Sequence, residues 1–294
     1  VAVGGGSPMD CAKGIGIAVA HGRNIVEFEG VDTLRVPSPP LILIPTTAGT
    51  SADVSQFVII SNQSERMKFS IVSKGAVPDV SLIDPETTLS MDPFLSACTG
   101  IDALVHAIEA YTSALKKNPM SDLLAREALR LLAANLDEAV HNGSNREARQ
   151  AMLLGACLAG QAFANAPVAA VHALAYPLGG NFHIPHGLSN ALVLPQVLRF
   201  NVSAAATHYG ELAPIILGER LRTDDPSTYA EQLIEEFEQM SARVGLPTRL
   251  RDAGVPEDML PQLAKEAMLQ QRLLVNNPRE VSEADALAIY QAAY

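Results

Sequence analysis

The sequence predicts an α/β segment over residues 1–92 followed by an all-helical segment over residues 93–294, and two observations carry that reading. Short aliphatic runs bounded by Gly, Pro, Thr and Ser (VAVGGGS, LILIPTT, FVIIS and VSLIDPE) punctuate the first part, as buried strands do. Past Pro93 apolar residues recur with a helical period over 121–140, 147–164, 186–199, 204–218, 227–244 and 256–270. Turn signals lie between them, with NGS at 142–144, GLP at 245–247 and NNP at 276–278. At 294 residues and 48% hydrophobic composition the chain can bury a sizeable core and is long enough for two domains. It holds no repeat, no low-complexity tract and no long linker.

Residues 1–3 read as the end of a buried strand, 4–7 as a tight glycine turn, and Pro8 onward as a helix with proline near its first turn. Strand, glycine turn and helix N-terminus together form an anion site, because backbone N–H groups converge there and the helix dipole favours negative charge. The same residues also suit an ordinary strand-to-helix turn, since the G-x-G-x-x-G fingerprint is not met. Residues 41–44 read as the next strand and 57–60 as another, with a Thr/Gly loop between them. Small hydroxyl residues after a buried strand let hydroxyls and amides approach a sugar or phosphate, although a plain polar turn looks alike. VSLIDPE supplies one more strand, ending at Asp84-Pro85.

In the helical part, TGIDALVHAIEAY sets Asp102 and His106 four residues apart, on one helical face. The apolar stripe of Ile101, Leu104, Val105 and Ile108 turns that face inward. A buried carboxylate beside a buried imidazole is costly unless both are paired or hold a cation. His172 in AAVHALAY and His186 in a PHG turn before GLSNALVLPQVL would complete three imidazoles and one carboxylate. That set suits Fe²⁺ or Zn²⁺ and does not suit Ca²⁺ or Mg²⁺, which prefer oxygen shells. Spacing alone leaves open a helix acid beside a hydrogen-bonded core histidine.

The net charge of −11 with no basic run argues against nucleic acid or a membrane surface as partner. Cys11, Cys98 and Cys157 lie far apart with no CxxC and read as reduced core thiols. With no apolar run long enough for a bilayer and no charged N-terminal signal region, a soluble cytoplasmic protein is expected. His21, His141 and His208 lack a partner pattern and read as surface or packing residues.

TGIDALVHAIEAY and the long VHALAYPLGGNFHIPHGLSNALVLPQVLRFN resemble the iron-containing (group III) alcohol dehydrogenases. The resemblance implies an α/β nucleotide-binding domain over 1–92 and an all-α metal-binding domain over 93–294, with the active site in the cleft between them. The domain over 1–92 is expected to be partial, its front part lying outside this sequence. The resemblance also implies that Asp102, His106, His172 and His186 hold the metal, Fe²⁺ in preference to Zn²⁺. GGGSPMDCAK is similar to that family's GGGSxxDxAK segment along the dinucleotide pyrophosphate. Gly5, Gly6 and Ser7 would then contact phosphate, with Asp10 nearby. The PTTAGT loop is similar to the family's PTTAGTGSE, which implies Thr46, Thr47 and Thr50 as cofactor contacts and departs from it at Ser51, Ala52 and Asp53. Lys68 matches a family lysine near the cofactor, and equally suits a surface lysine.

The implied reaction is hydride exchange between NAD or NADP and a small alcohol or aldehyde, in a homo-oligomer expected to be a dimer. The family's nucleotide domain begins upstream of the glycine turn, so a portion of a longer protein is expected here. Dehydroquinate-synthase-like lyases and glycerol dehydrogenases share the fold, but His106 and HALAYPLGG argue for the alcohol dehydrogenase branch. A metal-free maleylacetate-reductase-like enzyme and an inactive metal-binding homologue are the other readings. Tyr176 departs from the family, which commonly has a second histidine there that helps move the alcohol proton. A phenol with a pKa near ~10 shuttles protons poorly at neutral pH beside an imidazole near ~6.5. His183 in NFHIPHG is the alternative relay; otherwise Tyr176 packs in the pocket and water carries the proton.

Overall fold

The computed structural model describes residues 1–62 and 67–294, without the side chains of 61–68. The first part holds β1 (Ala2–Gly4), α1 (Gly6–His21), β2 (Gly30–Val31), β3 (Ile42–Pro45), β4 (Phe57–Asn62), β5 (Met67–Val72) and β6 (Val80–Ser81). They form two small sheets, a parallel one in the order β1-β3-β6 and a second in the order β2-β5-β4, where β4 and β5 run antiparallel. Helix α1 begins at Gly6, two residues before the expected Pro8, and Cys11 lies on its exposed face, not in the core as expected. Proline is tolerated inside that first turn because its missing N–H is one of the four that have no acceptor within the helix. The helix stops at Gly22, which takes the left-handed conformation with φ 62°.

The second part is helical. Its elements are α2 (Pro93–Thr112), α3 (Pro119–His141), α4 (Arg146–Asn165), α5 (Ala170–Phe182), α6 (His186–Leu217), α7 (Tyr229–Arg243), α8 (Leu260–Ala267), α9 (Gln271–Leu274) and α10 (Glu283–Ala293). α2 starts where Asp92 accepts a hydrogen bond from the Leu95 N–H and Pro93 takes the first helical position. Residues 96–112 are all buried, so α2 is the hub of the helical layer. α6 is one helix of 32 residues where two were expected. The polar dip that suggested a break is Asn201, and Asn277 holds its side chain through paired amide hydrogen bonds of 3.0 and 2.8 Å. A tertiary partner therefore satisfies the group that would otherwise have favoured a turn. Among the described residues no single helix is long and apolar enough to cross a membrane.

Three glycines set close approaches here, two of them between the first part and the helical part. A Cβ on Gly187, in the first turn of α6, would stand 2.0 Å from the Cys98 carbonyl oxygen of α2. One on Gly49 would stand 2.5 Å from Thr99 Cβ, and one on Gly160 2.4 Å from Ser51 Cβ. Only glycine permits these approaches. The loop after β3 is thereby pressed against α2 and α4, and the first turn of α6 against α2 at Cys98, with Asp102 one helical turn beyond Cys98.

Candidate metal and cofactor site

Asp102 and His106 project from α2, His172 from the first turn of α5, and His186 is the first residue of α6. The Nε2 atoms of His106, His172 and His186 each lie 3.6 Å from Asp102 Oδ1. A tetrahedral ion with bonds of about 2.0–2.2 Å has ligand-to-ligand edges of roughly 3.3–3.6 Å, so the three edges that meet at Asp102 Oδ1 match those around a divalent transition metal. Donor atoms of Asp102, His172 and His186 lie within 4.8 Å of one another. His106 lies outside that group, its ring stacked on His172 at 4.9 Å between centroids. His186 is the open side, with 43% of its side chain exposed against 3% for Asp102.

The surroundings prepare the donors. Burial pushes the Asp102 carboxyl up, but the imidazoles of His106, His186 and His172 outweigh it and hold the group ionised. Burial pushes His106 down to about 3, so its imidazole is neutral and able to ligate. Burial also lowers His172, yet its hydrogen bonds to Asp102 and Glu109 raise it to about 9. Glu109 and Asn190 were not foreseen from the sequence. Glu109 Oε2 lies 2.6 Å from His172 Nδ1, and its Oε1 accepts the Val171 N–H at 2.7 Å. Asn190 Nδ2 donates to Asp102 Oδ1 at 2.7 Å. Both carried a local signal: Glu109 is a buried acid three residues after His106 on an apolar helix, and Asn190 follows His186 by four.

The glycine turn faces the Thr loop. A Cβ on Gly5 would come within 3.3 Å of Thr47, and one on Gly6 within 3.1 Å of Thr50, so the two backbones leave a narrow cradle. Thr47 Oγ1 is buried there without a hydrogen-bond partner among the described residues, an acceptor and donor awaiting a ligand. Ser7 is exposed in the first turn of α1. Thr46 donates its N–H to the Gly4 carbonyl, tying loop to turn. Together these groups suit a dinucleotide pyrophosphate at a helix N-terminus. Asp10 is engaged elsewhere: its Oδ2 accepts the Ile59 N–H at 3.0 Å, and its Oδ1 stands 3.7 Å from Lys13. It fastens α1 to β4. The Lys68 side chain lies outside the described residues. Ser51, where the sequence departs from the family's glycine, keeps a left-handed φ of 54° and is held by hydrogen bonds from its hydroxyl to Ala156 O and Gly49 O.

Aromatic rings wall the cluster. Phe163 lies 4.5 Å from the His106 ring and 5.6 Å from Phe57, and Tyr176 lies 5.8 Å from His186. His183 caps the end of α5 with φ 55°, exposed, and no hydrogen bond or ring contact among the described residues joins it to the cluster. Phe57 and Phe163 carry no local sequence signal, because only tertiary packing brings them to the histidines.

Residues 96–294 match the C-terminal model of the Fe-containing alcohol dehydrogenase family, and residues 1–85 match the iron-containing alcohol dehydrogenase model. The chain belongs to the iron-containing alcohol dehydrogenase family. It is 41% identical over 294 residues to 1,3-propanediol dehydrogenase of Klebsiella pneumoniae, spanning all of this chain and 75% of that one. A crystal structure of a 1,3-propanediol oxidoreductase superimposes with a TM-score of 0.95 at 41% identity, covering 99% of this chain and 76% of that one. Sulfoacetaldehyde reductase from Bifidobacterium kashiwanohense, solved in complex with NAD+, gives 0.86 at 31% identity, covering 99% and 75%. As an iron-containing alcohol dehydrogenase the chain is an alcohol oxidoreductase, of a family that implies a divalent metal and NAD(P).

Proposed function

We propose that this protein interconverts a small alcohol and its aldehyde or ketone, with Asp102, His106, His172 and His186 holding Fe²⁺, or Zn²⁺ in its place, and NAD or NADP bound along the glycine turn. The observation that carries this reading is the placement of three Nε2 atoms at 3.6 Å around one carboxylate oxygen. The boundary between the cofactor-binding and metal-binding units is drawn at residues 92 and 93.

When bound, the ion supplies Lewis acidity toward the alcohol oxygen and the nicotinamide supplies a hydride acceptor or donor. The chain does the rest. Asp102 contributes the one negative charge of the donor set, and Asn190 keeps its carboxylate oriented. Glu109 accepts a hydrogen bond from Nδ1–H of His172, which leaves Nε2 facing the donor set and makes the imidazole more basic. Gly5 and Gly6 offer backbone N–H groups to the cofactor phosphates, and the Thr46, Thr47 and Thr50 loop lies over the turn. Phe57 and Phe163 exclude water from one side, which strengthens electrostatic interactions within the site. Tyr176, beside His186, is placed to orient the substrate hydroxyl, and the alcohol proton leaves through water at the exposed His186 face.

Anaerobic reconstitution with Fe²⁺ or Zn²⁺, followed by absorbance of reduced nicotinamide with alcohols of two to four carbons, tests the reading. Turnover that needs both ion and cofactor supports it. Full turnover by metal-stripped protein would reject it.

A further inference from the structure

Arg272, in the short helix α9, stands outside both the metal donor set and the glycine-turn cradle. It is half-buried, with its guanidinium carbon 5.6 Å from the Phe57 ring centroid. The same guanidinium stands beside the Tyr176 phenol and opposes the upward push that burial gives that group. Phe57 leads through Phe163 to His106, and Tyr176 leads to His186, so Arg272 closes a ring of side chains whose opposite edge is the histidine cluster. Its backbone is fixed, because Asn276 Nδ2 donates both to Arg272 O and to Val168 O at 3.1 Å.

Its charge is what needs an explanation. Arg199, Arg220, Arg222 and Arg243 each meet a carboxylate. Among the described residues no carboxylate pairs with Arg272, whose facing groups are an aromatic ring and a phenol. A guanidinium that has an aromatic ring and a hydrogen-bonded phenol beside it but no counter-charge is a ready receptor for a carboxylate or similar oxyanion, which it can grip through two parallel N–H donors. The cofactor phosphates have their own cradle at Gly5 and Gly6, bordered by Thr47 and Thr50.

We propose that Arg272 binds an acidic group on the substrate, so that the preferred substrates are short aldehyde acids and the matching hydroxy acids. This deepens the proposed alcohol dehydrogenase reading and rests on it. The test uses the metal-loaded protein with 4-oxobutanoate and butanal, which differ in the acid group, and the variants Arg272→Leu and Arg272→Lys. For the parent, kcat/KM for 4-oxobutanoate should exceed that for butanal, and Arg272→Leu should lower this ratio by about 100-fold, mainly through KM, as loss of a charge-assisted pair predicts. Arg272→Lys should restore part of it. Calorimetry with succinate supplies a readout without turnover: binding to the parent should be lost in Arg272→Leu. A parent that does not prefer the acid, or a ratio unmoved in Arg272→Leu, overturns the proposal. So does a variant whose main change is a weaker NAD(H) or NADP(H) dissociation constant, since the guanidinium would then serve a cofactor phosphate. If neither aldehyde is reduced while Arg272-dependent succinate binding persists, the dehydrogenase reading fails and the anion site stands.

Discussion

Glu109 Oε2 and His172 Nδ1 lie 2.6 Å apart, both side chains almost wholly buried, and the same carboxylate accepts the Val171 N–H through its other oxygen. This pair fixes which nitrogen of His172 faces Asp102 and welds α5 to α2. Partners of this kind are worth about 10–100-fold in metal affinity. Glu109→Gln is therefore expected to weaken Fe²⁺ or Zn²⁺ binding by a factor in that range while the helical fold persists, as measured by competition with a chelator. Unchanged affinity would leave Glu109 a purely structural acid.

Gly187 carries a second expectation. A Cβ there would sit 2.0 Å from Cys98 O, so α6 could not keep its approach to α2 and His186 would move away from Asp102. Gly187→Ala should cost about 3 kcal/mol or more and lower metal content, whereas Gly210→Ala in the same helix meets nothing within 4 Å. That control should be neutral or stabilise by up to about 1 kcal/mol through helix propensity. Thermal unfolding of the two variants with metal analysis decides the matter, and equal behaviour would refute the close-approach argument.

What the sequence made legible was local. Asp102 and His106 are one helical turn apart on an apolar face, so spacing alone suggests that they point inward together. His172 and His186 lie 66 or more residues beyond His106 on other helices, and only the resemblance tied them to the pair before the structure brought the four together. The strand–turn–helix at the start was readable from its glycines. The continuity of α6 was not, because it depends on Asn277, far along the chain. Arg272, Phe57 and Phe163 were likewise silent, since their meeting is a property of packing between elements.

Lys13 gives a pH signature. It is fully buried, donates to the Ser55 and Phe57 carbonyls at 2.9 and 3.0 Å, and burial lowers it from 10.5 to about 8 despite Asp10 and Asp53. Between pH 8 and 10.5 the unfolded chain holds the proton that the folded chain has released, so unfolding free energy should rise with pH across that window. The rise from this group is about 3 kcal/mol in all. Urea unfolding of the parent and Lys13→Met at several pH values should show it as a difference that grows in favour of the parent. A flat difference would mean that the lysine titrates normally.

His183 ends α5 at φ 55°, a conformation that costs a non-glycine residue roughly 1 kcal/mol. His183→Gly should recover a comparable amount of stability and leave the pH–rate profile in place, because no contact among the described residues links the imidazole to the cluster. Loss of an ionisation from that profile would instead put His183 in the proton path and displace the water route.

On the proposed reading, Asp102 and the three histidines hold one divalent ion that alcohol oxidation needs. Elemental analysis after anaerobic reconstitution, run beside turnover for the parent and His186→Ala, tests it most directly. About one equivalent of Fe²⁺ or Zn²⁺ per chain with NAD(P)-linked turnover is expected in the parent, and both should be sharply reduced in His186→Ala with the helical content intact. Parent-like turnover in His186→Ala, or in protein shown to be free of metal, would contradict it.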